Sequence, residues 1–290
     1  MPWFLYALVG ALGDAGYYAL VKRYVKDMSR YILASGVFIF VAIFTFIIHL
    51  ATGETVHLTS AFWFALAGTV LLNYFASVLI YRALQLADLS LVQPLKALTP
   101  LFLLFTSFLM LGEAPTVRGG AGVFLIVVGS YVLNFGNAKK NLLHPFQTIW
   151  KNKGTRRMLL VALIFSITAN FDKQVVQNSN PIFALFATSL ALGLCFLVTS
   201  FIKEKEQTLG MLKNNLPIFV LIALVSVVGG IAINIALSQQ IVPYVTAIKR
   251  LSSIFAVLFA WWFFQEPFIR KRLLGASIIV AGAILIIFSK

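Results

Sequence analysis

The sequence predicts an all-α integral membrane protein of ten transmembrane helices arranged as two inverted five-helix repeats. Three observations carry this expectation. Apolar runs fill almost the whole length, the connections between them are short, and the second half repeats the first in register. Of 290 residues, 60% are hydrophobic and 11% charged, a balance that leaves too little polar surface for a water-soluble domain.

At about 20 apolar residues per span, helices are expected near 3–21, 31–51, 60–82, 89–111, 117–136, 158–176, 182–202, 215–238, 243–264 and 268–288. The first run, Trp3 to Val21, leads directly into further long runs, so it reads as a spanning helix rather than a cleaved signal. Thr52-Gly53 closes the second span, Glu113-Ala114-Pro115 the fourth, and Asn180-Pro181 and Glu266-Pro267 mark later turns. Pro94 and Pro100 lie inside the fourth span, where each removes a backbone donor and favours a bend. Gly122, Gly129 and Gly136 recur every seven residues on the fifth span, and Gly275 and Gly282 repeat that spacing on the tenth. Small residues so spaced let helices approach closely, which assigns these two spans to scaffolding.

The longest connection, 137–157, carries six basic residues interleaved with Leu142, Leu143, Phe146, Ile149 and Trp150. It reads either as a segment lying on an anionic membrane surface or as a solvated linker. Lysines and arginines at 22–30, 82, 139–157, 203–213 and 270–272 fall on one side of the membrane, against Arg118 and Lys290 on the other. The positive-inside rule then makes the basic side cytoplasmic and places both termini outside. The net charge of +14 is scattered over short loops, so it reads as topology and not as a nucleic-acid footprint.

An offset of 153 residues pairs Ala83 with Ala236, Lys96 with Lys249, Phe102 with Phe255, Glu113 with Glu266, Gly122 with Gly275 and Gly129 with Gly282. Unrelated apolar segments share Leu and Ile but not Lys, Glu and paired glycines, so the chain is a duplication. Its expected parts are a first repeat over 1–138, a basic connecting loop over 139–157 and a second repeat over 158–290. Five spans per unit is an odd number, so the copies enter the membrane from opposite sides, the geometry of alternating access.

Lys96 lies about seven residues into the fourth span and Lys249 about six into the ninth, with Arg250 beside it, which brings all three towards one cavity near the midplane. A cation at the centre of a span costs at least about 2.5–3.5 kcal/mol unless it meets an anion or water. The candidate counter-charges are Asp14 and Asp172, the latter adjoining Lys173; Lys22 closes the first span. With Lys96, Lys249 and Arg250, the polar or aromatic residues Tyr17, Asn73, Tyr74, Gln93, Asn234, Tyr244 and Thr246 make up the candidate substrate-binding set. Asp14, Asp172, Lys173 and Lys22 are the candidates for coupling or charge pairing. Helix-to-helix hydrogen bonding is the alternative for each polar residue, Asn170 included.

Cys195 is the only cysteine and lies in an apolar run, and the three histidines are far apart, so no metal or cofactor site is expected. No nucleophile with a base and no phosphate loop is present, and an enzyme is not expected.

The run Tyr81-Arg82-Ala83-Leu84, then Pro94, Lys96, Pro100 and Gly112-Glu113, followed by a glycine-bearing last helix, resembles the ten-helix, EamA-like members of the drug/metabolite transporter superfamily. Ser253 stands where the first half has Pro100, so the second copy is more degenerate. Lys96-Ala97 and Lys249-Arg250 are also similar to the phosphate-binding pairs of triose-phosphate translocators, with Lys22 matching a further basic residue. The resemblance implies a secondary transporter of a small organic solute, and the local likeness implies an anionic or phosphorylated one, moved by exchange or proton coupling. An exporter of amino acids or amphiphilic metabolites, its buried cations paired internally, is the alternative. The resemblance implies cytoplasmic termini, against the charge count. The expected partners are the solute and the lipid bilayer, with monomer and homodimer both open and the plasma (inner) membrane as the default location.

Overall fold

The computed structural model describes residues 2–24, 28–56, 58–86, 95–135, 152–264 and 269–289. Among these it is all-helical, in the order α1 (Pro2–Tyr24), α2 (Arg30–Thr52), α3 (Ser60–Leu86), α4 (Thr99–Leu111), α5 (Val117–Phe135), α6 (Lys153–Gln177), α7 (Pro181–Asn214), α8 (Leu216–Gln239), α9 (Val242–Lys249), α10 (Ser252–Phe264) and α11 (Ile269–Ile287). Seven stretches among the described residues are long and apolar enough to cross a membrane, and 99–111, 117–133 and 273–287 are shorter apolar helices. Together they supply the ten expected spans, with α9 and α10 forming the ninth. The segment 87–94 of the fourth expected span, Pro94 included, lies outside the described residues, as does most of the basic connecting loop.

Two spans are broken at matched positions. In the fourth, helical residues 95–96 give way to a turn at 97–98 before α4 begins. Pro100 cannot donate to the carbonyl of Lys96, which instead accepts from Thr99 Oγ1 at 2.9 Å and from an Arg250 guanidinium nitrogen at 3.3 Å. The ninth span, expected to be continuous, breaks at Arg250-Leu251, where Arg250 N donates to Ala247 O and Leu251 N to Ile248 O in tightened turns. No proline marks this second break. Discontinuous helices at repeat-related positions are characteristic of carriers built from inverted repeats.

The seventh span also departs from expectation. Instead of ending near 202 it continues to Asn214 through a kink at Glu204 (φ −142°, ψ 40°). Ser29 Oγ donates to the Glu204 carboxylate at 2.7 Å and Thr208 Oγ1 reaches Ser200 O at 3.1 Å, which fixes the bend. Beyond it, Met211 and Leu212 tuck against the cluster of Ile32, Val37, Phe219 and Ile222 that joins α2 to α8.

The helices pair as an inverted duplication requires. α5 packs on α11, α2 on α7, α1 on α8 and α3 on α6. At the α5–α11 seam a Cβ on Gly122 would stand 2.7 Å from the carbonyl oxygen of Gly282, and one on Gly129 2.7 Å from that of Gly275. These glycines are therefore required by backbone-to-backbone contact. Gly136 lies outside the described residues.

Candidate functional site

Between α1, α2, α3, α6, α7, α8 and the end of α9 lies a cavity of about 360 Å³. Its depth is set by a second close crossing: Gly13 on α1 meets Gly229 on α8, and a Cβ on Gly13 would come within 2.7 Å of the Gly229 Cα. The lining uses the C-terminal part of α6 and the N-terminal part of α7, next to the bundle end carrying the 178–180 turn, together with the N-terminal half of α2, Ala34 to Val41, from the opposite end. Towards the basic end, Leu95, Met158 and Val161 pack against Ala76 and Ala83 of α3.

Three charged groups reach the wall. Lys249, at the C-terminus of α9, holds its ammonium 3.7 Å from Asp14 Oδ1, with side chains 42% and 28% exposed, so the pair faces open space rather than sealed core. Asp172 projects from α6 and accepts a 2.5 Å hydrogen bond from Thr69 Oγ1. Asn73 Nδ2, one turn along α3, donates to that same hydroxyl oxygen at 2.9 Å, which orients the hydroxyl proton towards the carboxylate. Tyr17, packed edge-on against Tyr18, and Asn234, whose amide donates to Pro181 O at 2.9 Å, complete the wall residues named from sequence. Thr69, Thr188, Ser189 and Ser226 add hydroxyls that the sequence reading passed over. Thr69 could have been found from Asn73, since positions four apart share a helix face.

The other sequence candidates lie off this wall. The Lys96 ammonium sits 5.3 Å from the Phe165 ring centroid, and Arg250 is spent in part on the carbonyl of Lys96, so of the three cations brought together in sequence one lines the cavity. Tyr74 shares a 2.8 Å hydrogen bond with Thr199 and packs on Phe196, a link between α3 and α7. Tyr244 is 4% exposed and its hydroxyl accepts from Thr116 N at 3.0 Å, anchoring the turn before α5. Thr246 is half-buried on α9 and does not line the cavity. Lys173 donates to Glu113 Oε1 at 2.5 Å and to Gln240 O at 2.7 Å, away from the cavity. Asn170 is buried and bridges to Thr106 on α4 at 3.1 Å. Gln93 and the side chain of Lys22 lie outside the described residues.

No group of three or more metal-ligating side chains occurs among the described residues. The wall instead mixes charges, the Lys249 ammonium beside the Asp14 carboxylate and the Asp172 carboxylate held by Thr69, with Val37, Phe38, Val41 and Leu192 among its apolar lining. Such a mixture of apolar surface and few placed polar groups suits a small solute.

Comparison with known proteins agrees with this architecture. Twenty-nine chains of solved structures match, among them one titled "Crystal structure of protein", with a TM-score of 0.78 at 14% identity over 99% of this chain and 98% of that one. At this identity the likeness concerns the fold. No curated protein matches. The family model described as "EamA-like transporter family" matches twice, over residues 1–135 and 153–288. The chain therefore belongs to the EamA-like transporter family, as a multi-pass membrane transporter of small solutes.

Proposed function

We propose that the protein is a secondary carrier for small zwitterionic solutes of the amino-acid class, working by alternating access of its inverted repeats around the cavity. The observation that carries this reading is the pairing of opposite charges on one wall, Asp172 with its Thr69 donor and Lys249 beside Asp14. A carboxylate in a membrane interior is expensive unless cations stand near it, and a solute ammonium at Asp172 adds one to the field of Lys249. The solute carboxylate then meets Lys249, which is held near the cavity by its eight-residue helix. Asn73 and Asn234 offer further polar contacts, and the aliphatic lining accommodates a modest side chain.

A second reading, a carrier of organic anions, draws on the gathering of Lys96, Lys249 and Arg250 around one helix break. Arg250 Nε is buried with no hydrogen-bond partner among the described residues, leaving a donor for an anion. The first reading is favoured because Lys96 and Arg250 stand behind the wall while both acids are at it.

Counterflow in proteoliposomes separates the two. Vesicles loaded with amino acids are expected to accumulate labelled amino acid, with the accumulation lost in Asp172→Asn and in Lys249→Gln. Uptake confined to vesicles loaded with phosphate, sugar phosphates or dicarboxylates, indifferent to Asp172→Asn, would overturn the zwitterion reading in favour of the anion reading.

A further inference from the structure

Glu113 and Lys173 form a buried ion pair that the cavity does not use, with side chains 11% and 7% exposed. Both carboxylate oxygens and two of the three ammonium N–H groups are engaged. Glu113 Oε1 accepts from Lys173, while Oε2 accepts from Ser107 Oγ at 2.6 Å and from the backbone N–H of Val242 at 2.8 Å. Lys173 also donates to Gln240 O at 2.7 Å. Ser107 and Glu113 belong to the first repeat; Lys173, Gln240 and Val242 belong to the second. The pair thus ties the end of α4 and the C-terminal part of α6 to the first turn of α9.

Both helices so tied carry a charged residue of the cavity. Lys173 follows Asp172 directly on α6, so the two side chains point about 100° apart, one to Glu113 and one to Thr69. Val242 opens α9 and Lys249 closes it, seven residues or about 10 Å away. We propose that Glu113 and Lys173 are positioning residues for transport: they hold α6 against α4 and α9 at the 178–180 end, set the separation of Asp172 from Lys249, and favour the access state that opens towards that end. Turnover requires this tie to break, because closing that end draws α6 towards α7 and α8. In sequence register, the repeat does not supply a second lysine. Glu266 matches Glu113 at the offset of 153, but Leu20 stands opposite Lys173. The tie therefore biases one of the two access states. The inference rests on the cavity being the solute site and is independent of which solute it takes.

The test replaces the single cysteine by Cys195→Ala and introduces Thr188→Cys on the cavity wall, then measures labelling by a membrane-impermeant thiol reagent added from each side. Glu113→Gln, and the double variant Glu113→Gln with Lys173→Met, are expected to label at least about tenfold more slowly from the side that labels the parent, a shift of at least about 1.4 kcal/mol between access states. Labelling from the other side should rise, and Lys173→Arg should retain the parent pattern. Because the double variant leaves no buried charge alone, it stays folded if the single variants do not. Unchanged labelling in the double variant overturns the proposal. Failure of amino-acid counterflow leaves this readout untouched, and a change in counterflow without a change in labelling also counts against the tie.

Discussion

The guanidinium of Arg250 donates to the carbonyl oxygen of Lys96 at 3.3 Å, joining the broken ninth span to the broken fourth. The acceptor exists because Pro100, four residues on, has no N–H to fill it. One half of the molecule thus opens a backbone group, which its own Thr99 hydroxyl and the other half's Arg250 share.

Pro100→Ala restores a competing donor. The expected outcome is a straighter fourth span, an unchanged or slightly raised unfolding temperature and reduced transport, read by thermal unfolding in detergent alongside counterflow. Arg250→Gln loses the charged hydrogen bond and should destabilise by about 1.5–3 kcal/mol.

The glycine seam between α5 and α11 has no room for larger side chains. Gly129→Val should destabilise by about 1–3 kcal/mol, the usual effect of overpacking, and more if the backbones cannot part. Gly210 on the α7 extension meets nothing within 4 Å, so Gly210→Ala should instead stabilise by about 0.5–1 kcal/mol. Thermal melts of the two variants side by side test both signs.

Thr69→Val removes the donor to Asp172 and the acceptor of Asn73 while keeping the shape of the side chain. Transport should weaken through a higher KM with the maximal rate less affected, since the carboxylate remains but is no longer oriented. An unchanged KM would mean that Asp172 is held by other contacts.

Asn234→Ala frees Pro181 O, the acceptor that pins α8 to the start of α7. The expected loss is about 0.5–1.5 kcal/mol of stability, with protein still inserted; a fluorescence melt checks it.

The ten spans were legible because a bilayer demands long apolar runs, and the first break because proline announces it. The break at Arg250-Leu251 carries no such mark; Ser253 stands where a proline would. The extension of α7 was hidden because 205–214 is polar enough to read as a loop, and its helicity depends on Met211 and Leu212 finding a distant cluster. At the cavity, polar residues in apolar spans pointed to some wall positions, but ambiguously. Asp14, Tyr17, Asn73, Asp172, Asn234 and Lys249 face the cavity, whereas Tyr74, Asn170 and Tyr244 are equally polar and serve as links between helices. Which face a residue presents depends on how the two halves meet, and that is set by contacts far apart in sequence.

The crossed pattern of the seam, Gly122 with Gly282 and Gly129 with Gly275, bears on ancestry. Within the duplication, Gly275 is the copy of Gly122 and Gly282 the copy of Gly129, so each contact joins one kind of glycine to the other kind. Two separate five-helix chains, set head to tail, would meet through the same two contacts. A half-length forebear could assemble with itself along this line, and joining its copies into one polypeptide would need no new surface.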